Sequence, residues 1–161
     1  MPEAFISGED AQTRHKMVDL LNASLSETIA LTLAVKQAHW NLKGQGFIGV
    51  HELLDDVAER LRESTDTIAE RAVILGGLAK GTAEVVAEGA KMEAYPTEIT
   101  AIEEHVEALK DRFLSVGEVV RKAIEAADEA GDDDTADLFT EVSRQIDKDA
   151  WFIGANSPKS K

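Results

Sequence analysis

His15, His39, His51 and His105 are the residues best suited to chemistry in a chain that has no cysteine. The lack of thiols excludes disulfides, thiolate metal sites and cysteine nucleophiles. His51 and Asp55 lie four residues apart, as do Asp66 and Glu70, within one long stretch of helical periodicity. With His51 at 0° on a helical wheel, Asp55 falls at about 40°, Asp66 at about 60° and Glu70 at about 100°. The four share a stripe, but Asp66 sits roughly 22 Å along the axis from His51. A metal ion holds its ligands at about 2 to 2.6 Å, so one ion does not span that gap. Two antiparallel copies of the helix close it. Position 51 of one chain then meets position 70 of its mate, with a two-fold axis near Arg60 and Leu61, and every contact occurs twice. On this reading each dimer carries two equivalent sites, with His51 and Asp55 from one subunit and Asp66 and Glu70 from the other. His39, across a short loop, is expected to lean over the same end. Imidazole mixed with carboxylate suits Fe(II), manganese or zinc, and an open carboxylate-rich site suits iron redox chemistry best. Acidic residues at helical spacing are also what a solvated face looks like, so spacing alone leaves both readings open.

One alternative is disfavoured. Di-iron bundles that build their centre within one subunit carry Glu-x-x-His on two helices. The residues three before each histidine here are Gln12, Lys36, Ile48 and Ile102. Any metal site is therefore pushed towards a subunit interface.

The elements that must carry these residues read as long helices. The first runs from about Asp10 to Asn41, with Met17, Leu21, Leu25, Leu31 and Val35 at helical steps. Gly44 and Gly46 break it. The second runs from about Ile48 to Leu75 and stops at Gly76-Gly77. A long connection follows, with a short helix over 82–89 capped by Thr82. Pro96 is expected to open the third helix as a first-turn proline, reaching about Ala127. Asp133 or Asp134 is expected to cap a fourth helix ending near Ile153, with Trp151 packed at its end. One short loop and one long crossover predict an all-α, ferritin-like four-helix bundle. Its domain spans 13–154, between tails at 1–12 and 155–161.

Composition narrows the function. The 161 residues hold 17 Lys and Arg against 31 Asp and Glu, a net charge of −14. That field argues against a generic nucleic-acid or anionic-membrane binder. Hydrophobic residues make up 43%, too many for a disordered chain. No apolar run approaches the roughly 20 residues of a membrane span, and no secretory signal is read at the start. A soluble cytoplasmic protein is expected.

The segment KQAHWNLKGQGFIGVHELLDDVAERLRESTDTIAERAVILGG, residues 36–77, closely resembles the signature of the Dps family, the DNA-binding proteins from starved cells. His39, Trp40, Asn41, Gly44, Phe47, His51 and Asp55 match H-W-N-x-x-G-x-x-F-x-x-x-H-x-x-x-D. Asp66, Glu70 and Arg71 match D-x-x-x-E-R. The likeness continues through YPTEI (95–99), RKAIEAADEAGDDDTAD (121–137) and SRQIDKDAWFI (143–153). It implies a dodecameric shell with ferroxidase sites between two-fold-related subunits. His39, His51 and Asp55 of one subunit would hold ferrous iron with Asp66 and Glu70 of its partner. Hydrogen peroxide would oxidise that iron for storage as a ferric mineral in the cavity. Trp40 and Lys36 would stand near the site, Trp40 either intercepting oxidising equivalents or packing under the loop. Arg71 would pair with a carboxylate across the interface. Asp132, Asp133, Asp134 and Asp137 would line a three-fold pore that draws Fe(II) inward. DNA binding is not expected at physiological salt. Residues 1–12 carry no Lys or Arg, the C-terminal tail offers only Lys159 and Lys161, and the shell would repel phosphate. A nucleoid-protecting DNA binder with little ferroxidase activity is the alternative, and association with the nucleoid would follow from it.

Overall fold

Asp10 starts the bundle. Its carboxylate accepts from the backbone N–H groups of Gln12 and Thr13 at 2.8 and 3.0 Å, which satisfies two of the donors a helix N-terminus leaves free. Helix α1 follows as Ala11–Asn41. The structure, a computed structural model, describes residues 2–157. Lys159 and Lys161 lie outside the described residues.

The other helices are α2 (Phe47–Ile74), α3 (Ala83–Gly89), α4 (Ile102–Ala130) and α5 (Asp133–Gly154). Gly46 takes φ 83° at the N-cap of α2, a left-handed geometry that costs a side-chain-bearing residue more. α1 packs on α2 and α4 on α5, while α1 also meets α4 and α2 meets α5. α3 rests on α1. Lys43, just after α1, pairs with the segment entering α4: its N–H donates to the Thr100 carbonyl at 2.7 Å. The end of α1 thus lies beside the start of α4, and the chain runs up, down, down, up. This is an all-α, ferritin-like four-helix bundle with one long crossover.

Met17, Leu21, Leu31, Leu54, Leu61, Ile68, Phe113, Phe139 and Ile146 fill the core. Two buried α1 threonines bond back to their own helix, Thr28 to Leu25 O at 3.1 Å and Thr32 to Thr28 O at 2.8 Å. Buried Glu27 accepts from the N–H groups of Lys91 and Met92 at 2.6 and 3.2 Å. It pins the crossover where no regular helix could satisfy those donors. α1 contains an 18-residue window of mean hydropathy 1.3, enough by length and composition to cross a membrane, contrary to the expectation that no stretch would qualify. Since 61% of that window is buried in the bundle, it is a core helix.

Five local expectations are corrected. Pro96 does not open a helix. The segment after it bends at 97–98 and then pairs with Lys43 through Thr100 and Ile102, so α4 starts at Ile102 and runs on to Ala130. Thr82 precedes α3 without a side-chain capping bond. The cap of α5 is Asp132, not Asp133 or Asp134, its carboxylate accepting from Thr135 N–H at 2.9 Å. Trp151 does not pack the end of α5 but is 68% exposed. Arg71 pairs within its own chain. It donates to Asp132 at 2.8 Å and to the Thr135 hydroxyl at 3.0 Å, joining α2 to the start of α5. The N-terminal residues are docked as well, with Phe5 N–H donating to Ile74 O at 2.8 Å and Glu9 lying 3.8 Å from Arg71.

The Asp132 side chain is fully buried and Arg71 is its cation. Removing one partner of such a pair strands a buried charge. Arg71→Met should therefore destabilise the protein by about 3 kcal/mol, with part recovered in Arg71→Met/Asp132→Asn. Denaturant unfolding measures this, and an unchanged midpoint for the single variant would contradict it.

Candidate metal centre

The α1–α2 turn is short, so the last turn of α1 faces the first turn of α2. His39 and His51 meet across it with ring centroids 3.8 Å apart and planes inclined by 18°. Each ring bonds to the other's backbone. His39 Nδ1 lies 2.8 Å from His51 O, and His51 Nδ1 lies 2.9 Å from His39 O. A carbonyl oxygen only accepts, so both Nδ1 atoms carry the proton in the neutral rings. Both Nε2 lone pairs are left free to bind a metal, and both rings are fixed in orientation. Phe47 stacks on His51 at 5.0 Å and flanks the pair.

Asp55 sits one turn along α2 from His51. Its Oδ1 lies 4.0 Å from His39 Nε2 and 2.7 Å from Lys36 Nζ. The Lys36 hydrogen bond, then the Lys36 charge, with smaller help from His39 and His51, holds the Asp55 carboxyl below its usual range. The carboxylate remains largely exposed, so this steers its charge state without burying it.

The structure brings His39, His51, Asp55 and Lys36 together. Asp66 and Glu70 lie farther along the same face of α2, both exposed. Among the described residues of one chain, no three His, Asp or Glu side chains are grouped closely enough to hold an ion. At the level of the expected two-fold axis, Leu61 is fully buried and Arg60 is tied to Asp149 at 2.6 Å. Glu59 and Arg62, 3.4 Å apart, take the outward position at that level. Large apolar side chains surround the stripe in the open, namely Leu33, Trp40 and Ile48, each 60% exposed or more. Trp40 therefore does not pack under the loop; the Lys36 ammonium sits 5.8 Å from its ring centre.

The four aspartates expected in a pore divide. Asp132 is buried as cap and counter-ion, whereas Asp133, Asp134 and Asp137 are exposed. Sequence reasoning missed the reciprocal histidine–carbonyl bonds, and it placed Lys36 near the site without naming Asp55 as its hydrogen-bond partner. The i,i+3 spacing of Lys36 and His39 is the signal that puts the ammonium there.

A family model described as the ferritin-like domain matches residues 18–157. The "DNA protection during starvation protein" of Agrobacterium fabrum is 49% identical over 91% of this chain and 90% of its own length. The chain belongs to the Dps family. The Mycolicibacterium smegmatis protein of the same name is 33% identical over 94% of this chain and 82% of its own. Among solved structures, Mycobacterium smegmatis Dps in its tetragonal form superposes with a TM-score of 0.91 at 33% identity, covering 96% of this chain and 93% of that one. DpsC from Streptomyces coelicolor gives 0.90 at 31%, over 96% and 91%. Dps proteins as a family support iron storage and DNA protection in general.

The Lys36–Asp55 bond has a measurable consequence. Asp55 is depressed chiefly by Lys36, so it stays ionised to lower pH than an ordinary aspartate. In Lys36→Met its titration should move up in pH. Carboxyl-carbon NMR of aspartate-labelled protein, with Asp55→Asn to assign the resonance, reads the shift. An identical titration in Lys36→Met would remove Lys36 from any role at the site.

Proposed function

We propose that this Dps-family chain assembles as a dodecameric shell and oxidises ferrous iron, with hydrogen peroxide as the preferred oxidant. The observation that carries the reading is the pair of histidines locked with both Nε2 atoms free, beside a carboxylate held ionised by Lys36. It stands on the same exposed stripe as Asp66 and Glu70.

Fe(II) is the substrate. His39, His51 and Asp55 of one subunit bind it together with Asp66 and Glu70 of the two-fold partner, giving nitrogen and oxygen donors that suit ferrous iron. Neither half binds well alone, so the site exists only in the assembled dimer. The exposed Leu33, Trp40 and Ile48 are apolar surface of the kind a subunit interface covers. Two ferrous ions held together supply the two electrons that peroxide needs. Two Fe(II), one hydrogen peroxide and two protons give two Fe(III) and two water molecules. Pairing the electrons in this way avoids the hydroxyl radical that a single ferrous ion would release. The ferric product passes to the cavity as an oxyhydroxide mineral. Asp133, Asp134 and Asp137, repeated around a three-fold axis, form an acidic mouth that attracts Fe(II). Asp132 is not part of it, being spent on Arg71 and the α5 cap. The protein acts in the cytoplasm, and its acidic surface keeps it off DNA at physiological salt.

Anaerobic ferrous loading followed by a limiting peroxide pulse tests the reading through ferric absorbance. Fast oxidation of two irons per peroxide is expected, falling to the rate of buffer alone in His51→Ala/Asp66→Ala. Equal rates for wild type, variant and buffer would overturn the ferroxidase reading.

A further inference from the structure

Away from the candidate metal centre, the crossover and α4 hold a second pair of redox-capable groups. Tyr95 is the only tyrosine in the chain. Its hydroxyl oxygen lies 2.8 Å from Nδ1 of His105, and the two rings are near parallel, inclined by 12°. His105 is 1% exposed. Burial lowers its pKa, so it is neutral, while burial raises that of the Tyr95 phenol, so it is protonated. A protonated phenol against a neutral imidazole is a donor facing a base. The other ring nitrogen, Nε2, is buried and makes no hydrogen bond of good geometry. The nearby Ile99 carbonyl and the Glu104 charge favour the protonated ring.

Anchoring does not account for the pair. Arg112 already grips the same segment, donating to Glu93 O at 3.2 Å and Ala94 O at 2.6 Å, with its guanidinium 5.3 Å from the Tyr95 ring centre. A phenylalanine would fill the ring's place without burying a hydroxyl. Tyr95 is also only half-buried. It borders an open groove of about 680 Å³ with Leu33, Gln37, Val86 and Met92. Leu33 belongs as well to the smaller groove that holds Lys36 and Trp40. The groove at Tyr95 leaves the edge of the ring within reach of small oxidants.

We infer that Tyr95 and His105 form a proton-coupled electron donor, in which Tyr95 yields one electron to a strong one-electron oxidant and its phenolic proton passes to His105 Nδ1. The oxidant class is the hydroxyl radical that peroxide and a single ferrous ion generate when the metal site is half-filled, and here the inference rests on the proposed ferroxidase function. The radical takes one electron and one solvent proton to become water. Tyr95 becomes a neutral tyrosyl radical hydrogen-bonded to the His105 imidazolium. A later ferrous ion returns the electron, the proton returns from His105, and Fe(III) is the product. The pair thereby turns an odd electron count into a complete reduction of peroxide.

The test uses the whole oligomer, prepared with ring-deuterated tyrosine, which labels this single residue. In one arm, photogenerated ruthenium(III) tris-bipyridine oxidises the iron-free protein, and freeze-quench electron paramagnetic resonance reads the radical. The other arm uses sub-stoichiometric Fe(II) with peroxide. A tyrosyl signal that narrows on deuteration and vanishes in Tyr95→Phe is expected. In His105→Gln, which keeps an acceptor but no base, its formation should slow by about a hundredfold. Ferrous oxidation at ample Fe(II) should be unchanged in Tyr95→Phe. In the ruthenium arm, no radical, a signal unmoved by deuteration (a tryptophan radical), or one indifferent to His105→Gln would overturn the inference. Absent ferric product in the iron arm would instead count against the ferroxidase reading and leave the ruthenium arm to judge the pair.

Discussion

The reciprocal bonds between His39 and His51 are the constraint on which the rest depends. Each imidazole gives its Nδ1 proton to the backbone carbonyl of the other residue. One geometry therefore sets two tautomers, two ring planes and the approach of α1 to α2. It requires a turn short enough to bring the last turn of one helix against the first turn of the next, and the left-handed Gly46 provides that turn. The histidines are held in place by the protein's own backbone, so a metal bound there would cost little further conformational freedom. Lys36 does for Asp55 by charge what the carbonyls do for the rings by hydrogen bonding.

The bundle serves that geometry by rigidity. α1 and α2 are held over their length by buried aliphatic side chains, and the far end of α2 is fixed to α5 by Arg71 and Asp132. Asp66 and Glu70 lie between those two anchors. They are presented on a helix that is held at both ends, while their own side chains remain exposed. The crossover, by contrast, is tied down by polar groups, Glu27 to backbone 91–92 and Arg112 to backbone 93–94. It carries Tyr95 to His105.

Much of this was legible in the sequence, for identifiable reasons. Helix periodicity located the four long helices because their buried faces are continuous, the short helix was read within the crossover, and the glycines at 44, 46 and 76–77 marked the breaks. The wheel placed His51, Asp55, Asp66 and Glu70 in one stripe because they share a single uninterrupted helix. What failed was tertiary in origin. Pro96 looked like a helix start, but the chain bends after it and pairs Thr100 and Ile102 with Lys43, which delays the helix to Ile102. Asp132 looked like one of four equivalent surface acids until Arg71, 61 positions away, claimed it. The Tyr95–His105 pair carries no local signal at all, since its partners sit on different elements.

The central claim is that the iron site is shared between two chains, and inter-subunit complementation tests it most directly. His51→Ala and Asp66→Ala oligomers, each inactive alone, are dissociated and reassembled together in equal amounts. In a mixed dimer one site loses both residues and the other keeps both. Random pairing should restore about a quarter of the wild-type peroxide-driven ferrous oxidation. Mixed assemblies as inactive as either parent would contradict a site built from both subunits.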